Sequence, residues 1–242
     1  MRHLVLIQYK ISKSNTNEIF YAISSFKKYA KFDYEFCVIG DSISFFPEIP
    51  VIFGDKSTYE KCRAQHIRVA NDLYNACKIF KNKYSEFCLI SDDFFYINDF
   101  TWEDLSIPKH NETFLDERKR VYIDPTFWRS AKQKTAKYYI KNGILNAKDF
   151  TTHAPAVYNI EKLMFIIEKY NLTTPPNDYT IEDLYGNMFY KNSTDIKLYR
   201  CRICNKEKIP ELIEAKKNGL LFANVVESDW WNDFEKILKT VI

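Results

Sequence analysis

The first hundred residues alternate short apolar runs with longer amphipathic stretches, and that order leaves few folds open. "LVLIQY" (4–9), "YEFCVIGD" (34–41), "VIF" (51–53) and "EFCLISDD" (86–93) read as buried strands. "NEIFYAISSFKKYAKF" (17–32) places Ile19, Phe20, Ile23, Phe26 and Tyr29 near helical spacing. "YEKCRAQHIRVANDLYNACKIFKNKY" (59–84) carries Cys62, Ile67, Ala70, Leu73, Ala76 and Cys77 along one side of a long helix. Strand, helix, strand, strand, helix, strand predicts an α/β layer with a largely parallel central sheet flanked by helices. In such sheets ligands bind beyond the carboxyl ends of the strands. Asp41 and the pair Asp92–Asp93 stand at two of those ends.

The pair is the more informative. In "FCLISDDFFYINDF" (87–100) two like charges sit between apolar segments, which costs desolvation and mutual repulsion unless something compensates. An acidic turn that caps a following element is one reading. A site for a cation or a substrate is the other.

After residue 101 the pattern loosens. Helices are predicted near 127–141, in "IEKLMFIIEKY" (160–170) and in "TIEDLYGNMFYK" (180–191), a strand in "DIKLYRCRI" (195–203), and a short strand and closing helix in the last 24 residues. No internal repeat or interdomain linker is visible, so one domain over 1–242 is the economical expectation. No apolar run approaches the roughly 18 residues of a membrane span, and the N-terminal apolar segment is too short for a signal peptide. The expected setting is the cytoplasm. A net charge of +3 demands neither a nucleic acid nor a membrane as partner. The cysteines mostly sit in apolar patterns and read as small hydrophobes, "CRIC" (201–204) included, since no second pair follows to complete a zinc site.

The order of features resembles the glycosyltransferase-A fold with its DxD-type motif. Ser91-Asp92-Asp93-Phe94-Phe95, then His153-Ala154-Pro155, then Leu184-Tyr185-Gly186-Asn187 resemble the Stealth-like group of sugar and sugar-phosphate transferases. Ser91 stands where a full DxD has its first carboxylate. The resemblance implies a metal-dependent glycosyltransferase using a nucleotide-sugar, a UDP- or GDP-sugar, with residues 1–100 as the nucleotide-binding half and 101–242 as the acceptor side. It implies Asp93 as the carboxylate facing Mn²⁺ or Mg²⁺, Asp92 as a further ligand or ribose contact, and His153 as a third ligand or phosphate contact. Hard cations of this kind suit carboxylate oxygens and leave positions open for substrate phosphates.

Two acids, Glu182 and Asp183, are candidates for the base that takes the acceptor proton, with Asp183 preferred. Thr180 to Asp183 equally matches a capping box. Arg63 on the long helix and Asp41 are expected to contact the donor nucleotide, the guanidinium through phosphate. Segment 118–141 interleaves Arg118, Lys119, Arg120, Arg129, Lys132, Lys134, Lys137 and Lys141 with aromatics. It is either a solvated face or an acceptor surface for a polysaccharide, a glycan or a modified DNA base. Two alternatives remain open: transfer of a sugar-phosphate, and a non-enzymatic nucleic-acid-binding protein working through 118–141.

Overall fold

The computed structural model describes residues 2–9, 17–41, 43–53, 65–111, 127–177, 179–225 and 231–242. The four strands expected in the first hundred residues form as β1 (His3–Tyr9), β2 (Tyr34–Gly40), β3 (Val51–Phe53) and β4 (Glu86–Ser91). They lie parallel in the order β3-β2-β1-β4, and β7 (Ala156–Asn159) closes the sheet antiparallel to β4. The α/β class with a mostly parallel central sheet is therefore as expected.

Both faces of that sheet are covered, which is why its strands are apolar throughout rather than alternating. From β1, Leu4 and Leu6 pack on one side against Ala70 and Leu73 of α2 (Gln65–Phe80) and Leu163 and Ile166 of α5 (Ile160–Lys169). Val5 and Ile7 pack on the other side against Ile19, Ile23 and Phe26 of α1 (Glu18–Tyr29). The long helix expected over 59–84 is described from Gln65 to Phe80; residues 59–64, with Arg63, lie outside the described residues.

The run Phe94-Phe95-Tyr96 forms a separate strand, β5 (Phe94–Tyr96), which the sequence analysis did not assign. It pairs antiparallel with β10 (Phe222–Val225), which in turn runs parallel to β9 (Arg200–Ile203). Phe94 and Tyr96 face the α1 side of the main core, while Phe95 faces a further core with Cys201, Ile203, Leu212 and Phe234. All three are fully buried, and each such side chain contributes about 2–3 kcal/mol. The closing helix forms as α8 (Trp231–Val241), and Trp231 docks it by packing on Phe95 and Phe234.

Three short elements complete this part of the chain: α3 (Trp102–Ser106), β6 (Lys109–His110) and β8 (Thr194–Asp195). The single strand expected over 195–203 is instead β8, one 3-10 turn (Ile196–Leu198) and β9. The helices α4 (Phe127–Lys141) and α6 (Ile181–Phe189) fall where the spacing placed them, and α7 (Glu211–Lys217) was not foreseen. Among the described residues no helix is long and apolar enough to cross a membrane.

Candidate active site

Asp92 and Asp93 form the two-residue turn that carries the chain from β4 in the main sheet to β5 in the second one. Ile90 before the turn and Phe94 after it are buried in the same core, so the turn itself is fixed at the carboxyl end of a central strand. Asp93 is partly exposed, with 24% of its side-chain surface open. The Ser91 hydroxyl donates to Asp93 Oδ1, and His153 Nδ1 lies 3.2 Å from Asp93 Oδ2. Ser91, in place of the first acid of a DxD, thus orients the acid two positions on.

The two groups set each other's charge. Burial alone would raise the Asp93 carboxyl, but the His153 hydrogen bond and charge, with the Ser91 hydroxyl, outweigh it and hold it below the usual carboxylate range. The Asp93 hydrogen bond raises the His153 imidazole above its ordinary value against burial; Glu182 adds to the rise and Arg200 opposes it.

His153 has a φ of 57°, a left-handed conformation uncommon for a residue with a side chain. Its neighbours hold it there. The Arg200 guanidinium donates through Nη1 to the Thr152 carbonyl at 2.7 Å, and Ala154 N–H donates to Thr152 Oγ1 at 3.1 Å. Asp149, only 2% exposed, accepts from Lys132 Nζ at 2.6 Å, from Thr151 N–H at 3.0 Å and from the Thr151 hydroxyl.

The Tyr185-Gly186-Asn187 segment of α6 supports the same loop. The Asn187 amide bridges the Lys148 backbone, accepting from its N–H and donating to its carbonyl, both at 2.7 Å. Gly186 leaves room for the Phe150 ring, which a Cβ there would meet at 2.3 Å. The three motifs far apart in sequence therefore converge: α6 fixes 148–150, that strand of loop delivers His153, and His153 meets Asp93.

The remaining expected residues divide. Asp183 has no exposed surface; its Oδ1 accepts from Phe150 N–H at 2.7 Å, and its other oxygen takes the Thr180 hydroxyl. Burial, and then the charge of Asp149, push its carboxyl well above the usual range. The expected capping box does not form, because Thr180 N–H is already taken by Thr135 Oγ1 at 3.0 Å. Glu182, one position earlier, is half-buried and close enough for its charge to reach His153.

Asp41 follows β2, its N–H donating to the Tyr9 carbonyl at 3.0 Å. Gly40, with a φ of 117°, is required there, since a Cβ would sit 2.2 Å from that carbonyl oxygen. Burial raises the Tyr9 hydroxyl, and the charges of Asp92 and Asp41 raise it further, which places both acids around the end of β1.

Asp93 and His153 are side chains of the kind that would hold a divalent cation together with water and phosphate oxygens, once the imidazole releases the proton it gives to Asp93. Among the described residues no group of three or more His, Cys, Asp or Glu side chains is placed to hold a metal ion, so Asp92 does not complete a triad with them.

The basic segment is less of a surface than its sequence suggests. Lys132 is buried on Asp149 and Lys134 donates to the Pro176 carbonyl, whereas Lys137 and Lys141 are exposed. Residues 118–126, with Arg118, Lys119 and Arg120, lie outside the described residues. Arg200 was missed altogether, although the alternation Arg-Cys-Arg-Ile marked one polar face of its strand.

No protein-family model and no curated protein matches the sequence. Solved structures match in fold. The galactosyltransferase LgtC, crystallised with donor and acceptor sugar analogues, is 9% identical over 98% of this chain and 96% of its own, with a TM-score of 0.51. Mouse xyloside xylosyltransferase 1 in its apo form is 11% identical over 92% of this chain and 96% of its own, with a TM-score of 0.48. The apo bifunctional glycosyltransferase WbbM is 12% identical over 99% of this chain and 50% of its own, with a TM-score of 0.49. The α/β architecture expected from the sequence is thus that of a glycosyltransferase-A neighbour.

Proposed function

We propose that the chain is a glycosyltransferase that moves a sugar from a nucleotide-sugar to an acceptor hydroxyl. The observation that carries the reading is the Asp93–His153 pair, 3.2 Å apart at the carboxyl end of a central strand. The fold shared with LgtC supports it, as does the convergence of the three motifs that resemble the Stealth-like group. In this reading residues 1–100 receive the nucleotide, with Asp92 and Asp41 beside the end of β1 as the ribose and base contacts, joined by Arg63. Residues 101–242 form the acceptor side, where Lys137 and Lys141 line an approach for an anionic acceptor.

In the transfer, the bond between the anomeric carbon and the diphosphate oxygen breaks, and the electron pair leaves with the diphosphate. The acceptor oxygen forms the new bond to that carbon and gives up its proton. Glu182 takes that proton in preference to Asp183, because it is half-buried beside His153 while both Asp183 oxygens are engaged inside the protein. A bound Mn²⁺ or Mg²⁺ would supply Lewis-acid stabilisation of the leaving diphosphate, and Asp93 and His153 are the residues that would hold it. Asp183 positions His153 through Phe150 and has no contact with the reacting atoms.

Calorimetric titration of UDP- and GDP-sugars, with and without Mn²⁺, tests the reading. The expected result is binding of at least one nucleotide-sugar that Asp93→Ala weakens. If the wild-type protein binds none under either condition, the glycosyltransferase reading is wrong.

A further inference from the structure

One face of the second sheet carries polar groups that the protein leaves short of partners. Pairing places Arg202, Asn224 and Phe94 in one row across β9, β10 and β5, and Arg200, Phe222 and Tyr96 in the next. Strand alternation puts these six on one face, opposite the face whose Cys201, Ile203, Ala223, Val225 and Phe95 fill the further core. Phe94 directly follows Asp93, so the first row borders the acidic turn.

Arg200 is half-buried, and among the described residues its guanidinium donates to the neutral Thr152 carbonyl alone. Among the described residues no carboxylate lies within ion-pair distance of it, and Arg202 stands on the same face two positions on. Burial, and then the charge of Arg202, push the Arg200 guanidinium down to about 10, although the charges of Asp93 and Asp195 act the other way. Two neighbouring guanidinium groups, one of them desolvated, are an arrangement that an anion relieves. Asn224 is 6% exposed, and among the described residues none donates a hydrogen bond to its Oδ1. A buried oxygen of this kind calls for a donor from elsewhere. A phosphate satisfies the arginines and has no hydrogen to give; a sugar hydroxyl satisfies the amide oxygen.

We propose that this face binds the glycosyl-phosphate linkage of the donor, with Arg200 and Arg202 on the phosphate oxygens and Asn224 Oδ1 accepting a hydroxyl of the transferred sugar. The assignment rests on the glycosyltransferase reading and names the groups that would recognise the bond it breaks. Planar guanidinium forks suit phosphate in a way that a lysine in the same place does not.

The test is calorimetric titration of the full chain, in Mn²⁺, with UDP, UDP-glucose, UDP-galactose, GDP and GDP-mannose. Arg200→Gln keeps a donor for the Thr152 carbonyl and removes the charge. It is expected to weaken the nucleoside diphosphate and its sugar by the same factor, about tenfold or more. Asn224→Leu is expected to weaken the nucleotide-sugar about five- to tenfold and leave the parent diphosphate within about twofold. Its thermal midpoint should be no lower than wild type, because the oxygen removed has no hydrogen-bond partner among the described residues. The assignment is overturned if Arg200→Gln leaves diphosphate affinity unchanged, or if Asn224→Leu weakens diphosphate and nucleotide-sugar alike. A wild-type protein that binds no nucleotide refutes the glycosyltransferase reading itself; binding by wild type with no change in either variant refutes only this assignment.

Discussion

Replacing Lys132 by Met exposes how much the loop that carries His153 depends on one ion pair. Lys132 Nζ and Asp149 Oδ2 are 2.6 Å apart, with 5% and 2% of their side chains exposed. Taking one partner from such a pair leaves an uncompensated buried charge, and the usual cost is about 3–5 kcal/mol. For a chain of this length each kcal/mol lowers the thermal midpoint by roughly 2–4 °C, so Lys132→Met should lose about 6–20 °C.

Asp149→Asn keeps an oxygen for Thr151 N–H and removes the charge, so the double variant Lys132→Met/Asp149→Asn should recover about 2 kcal/mol or more relative to the sum of the single variants. Urea unfolding with linear extrapolation measures all three, and two-state coincidence of fluorescence and circular dichroism must be checked first. Burial also excludes the salt sensitivity of surface pairs such as Lys83–Glu35, so the loss should be the same at low salt and at about 0.5 M. A loss below about 1 kcal/mol for Lys132→Met, or strict additivity in the double variant, would show that the pair does not hold this loop. Lys132 would then belong to the surface basic segment that the sequence suggested.

Asp183→Asn should become more stable relative to wild type as pH rises. The carboxyl is raised by burial and then by Asp149, so its favourable contribution is present at low pH and lost above the unfolded carboxylate value near 4. Thermal midpoints from pH 4 to 8 measure this, and a difference that stays flat with pH sinks the argument. Asp93→Asn should lower the His153 midpoint followed by proton NMR, since the Asp93 hydrogen bond is the largest cause of its rise. In wild type the pair's contribution is full between the unfolded Asp and unfolded His values; it is lost as pH falls from the former toward the lowered Asp93 value, and as pH rises from the latter through the raised His153 midpoint. Equal His153 midpoints in both proteins would mean the groups are not coupled. Gly186→Ala puts a Cβ at 2.3 Å from the Phe150 ring and should cost about 1–3 kcal/mol by overpacking; an unfolding curve superimposable on wild type would contradict that packing.

What could be read from the sequence follows from the range of the forces involved. Helices α1, α2 and α4 are written in local periodicity, because each buries a face whose spacing repeats within the element, and the four parallel strands are written as continuous apolar runs set between them. In the second sheet β9 and β10 fall within expected strands, but β5 and the pairing that joins the three are not legible. Phe94 to Tyr96 is three residues long and apolar at every position, since it is buried on both sides. Nothing local distinguishes that run from a continuation of β4. Its partner β10 lies over a hundred residues away, and only the pairing of Phe222 with Tyr96 reveals it.

The site divides along the same line. Asp93 was legible as chemistry in an unfavourable place, one of two adjacent acids in an apolar run, whereas His153 was singled out only by the family resemblance. Glu182 and Asp183 were legible as a pair, but not which of them meets solvent. One helical position is a rotation of about 100°, and the rotation of α6 is set by the Phe150 ring against Gly186 and by Thr135 against Thr180, contacts made across the fold. The acid that looked like a cap is the one turned inward. Turned inward, it holds the backbone of Phe150, three residues before His153, and so in the proposed site it would fix geometry rather than move a proton. Carboxylate chemistry is thus readable from residue type and neighbours, whereas its assignment to a role waits on which face the packing chooses.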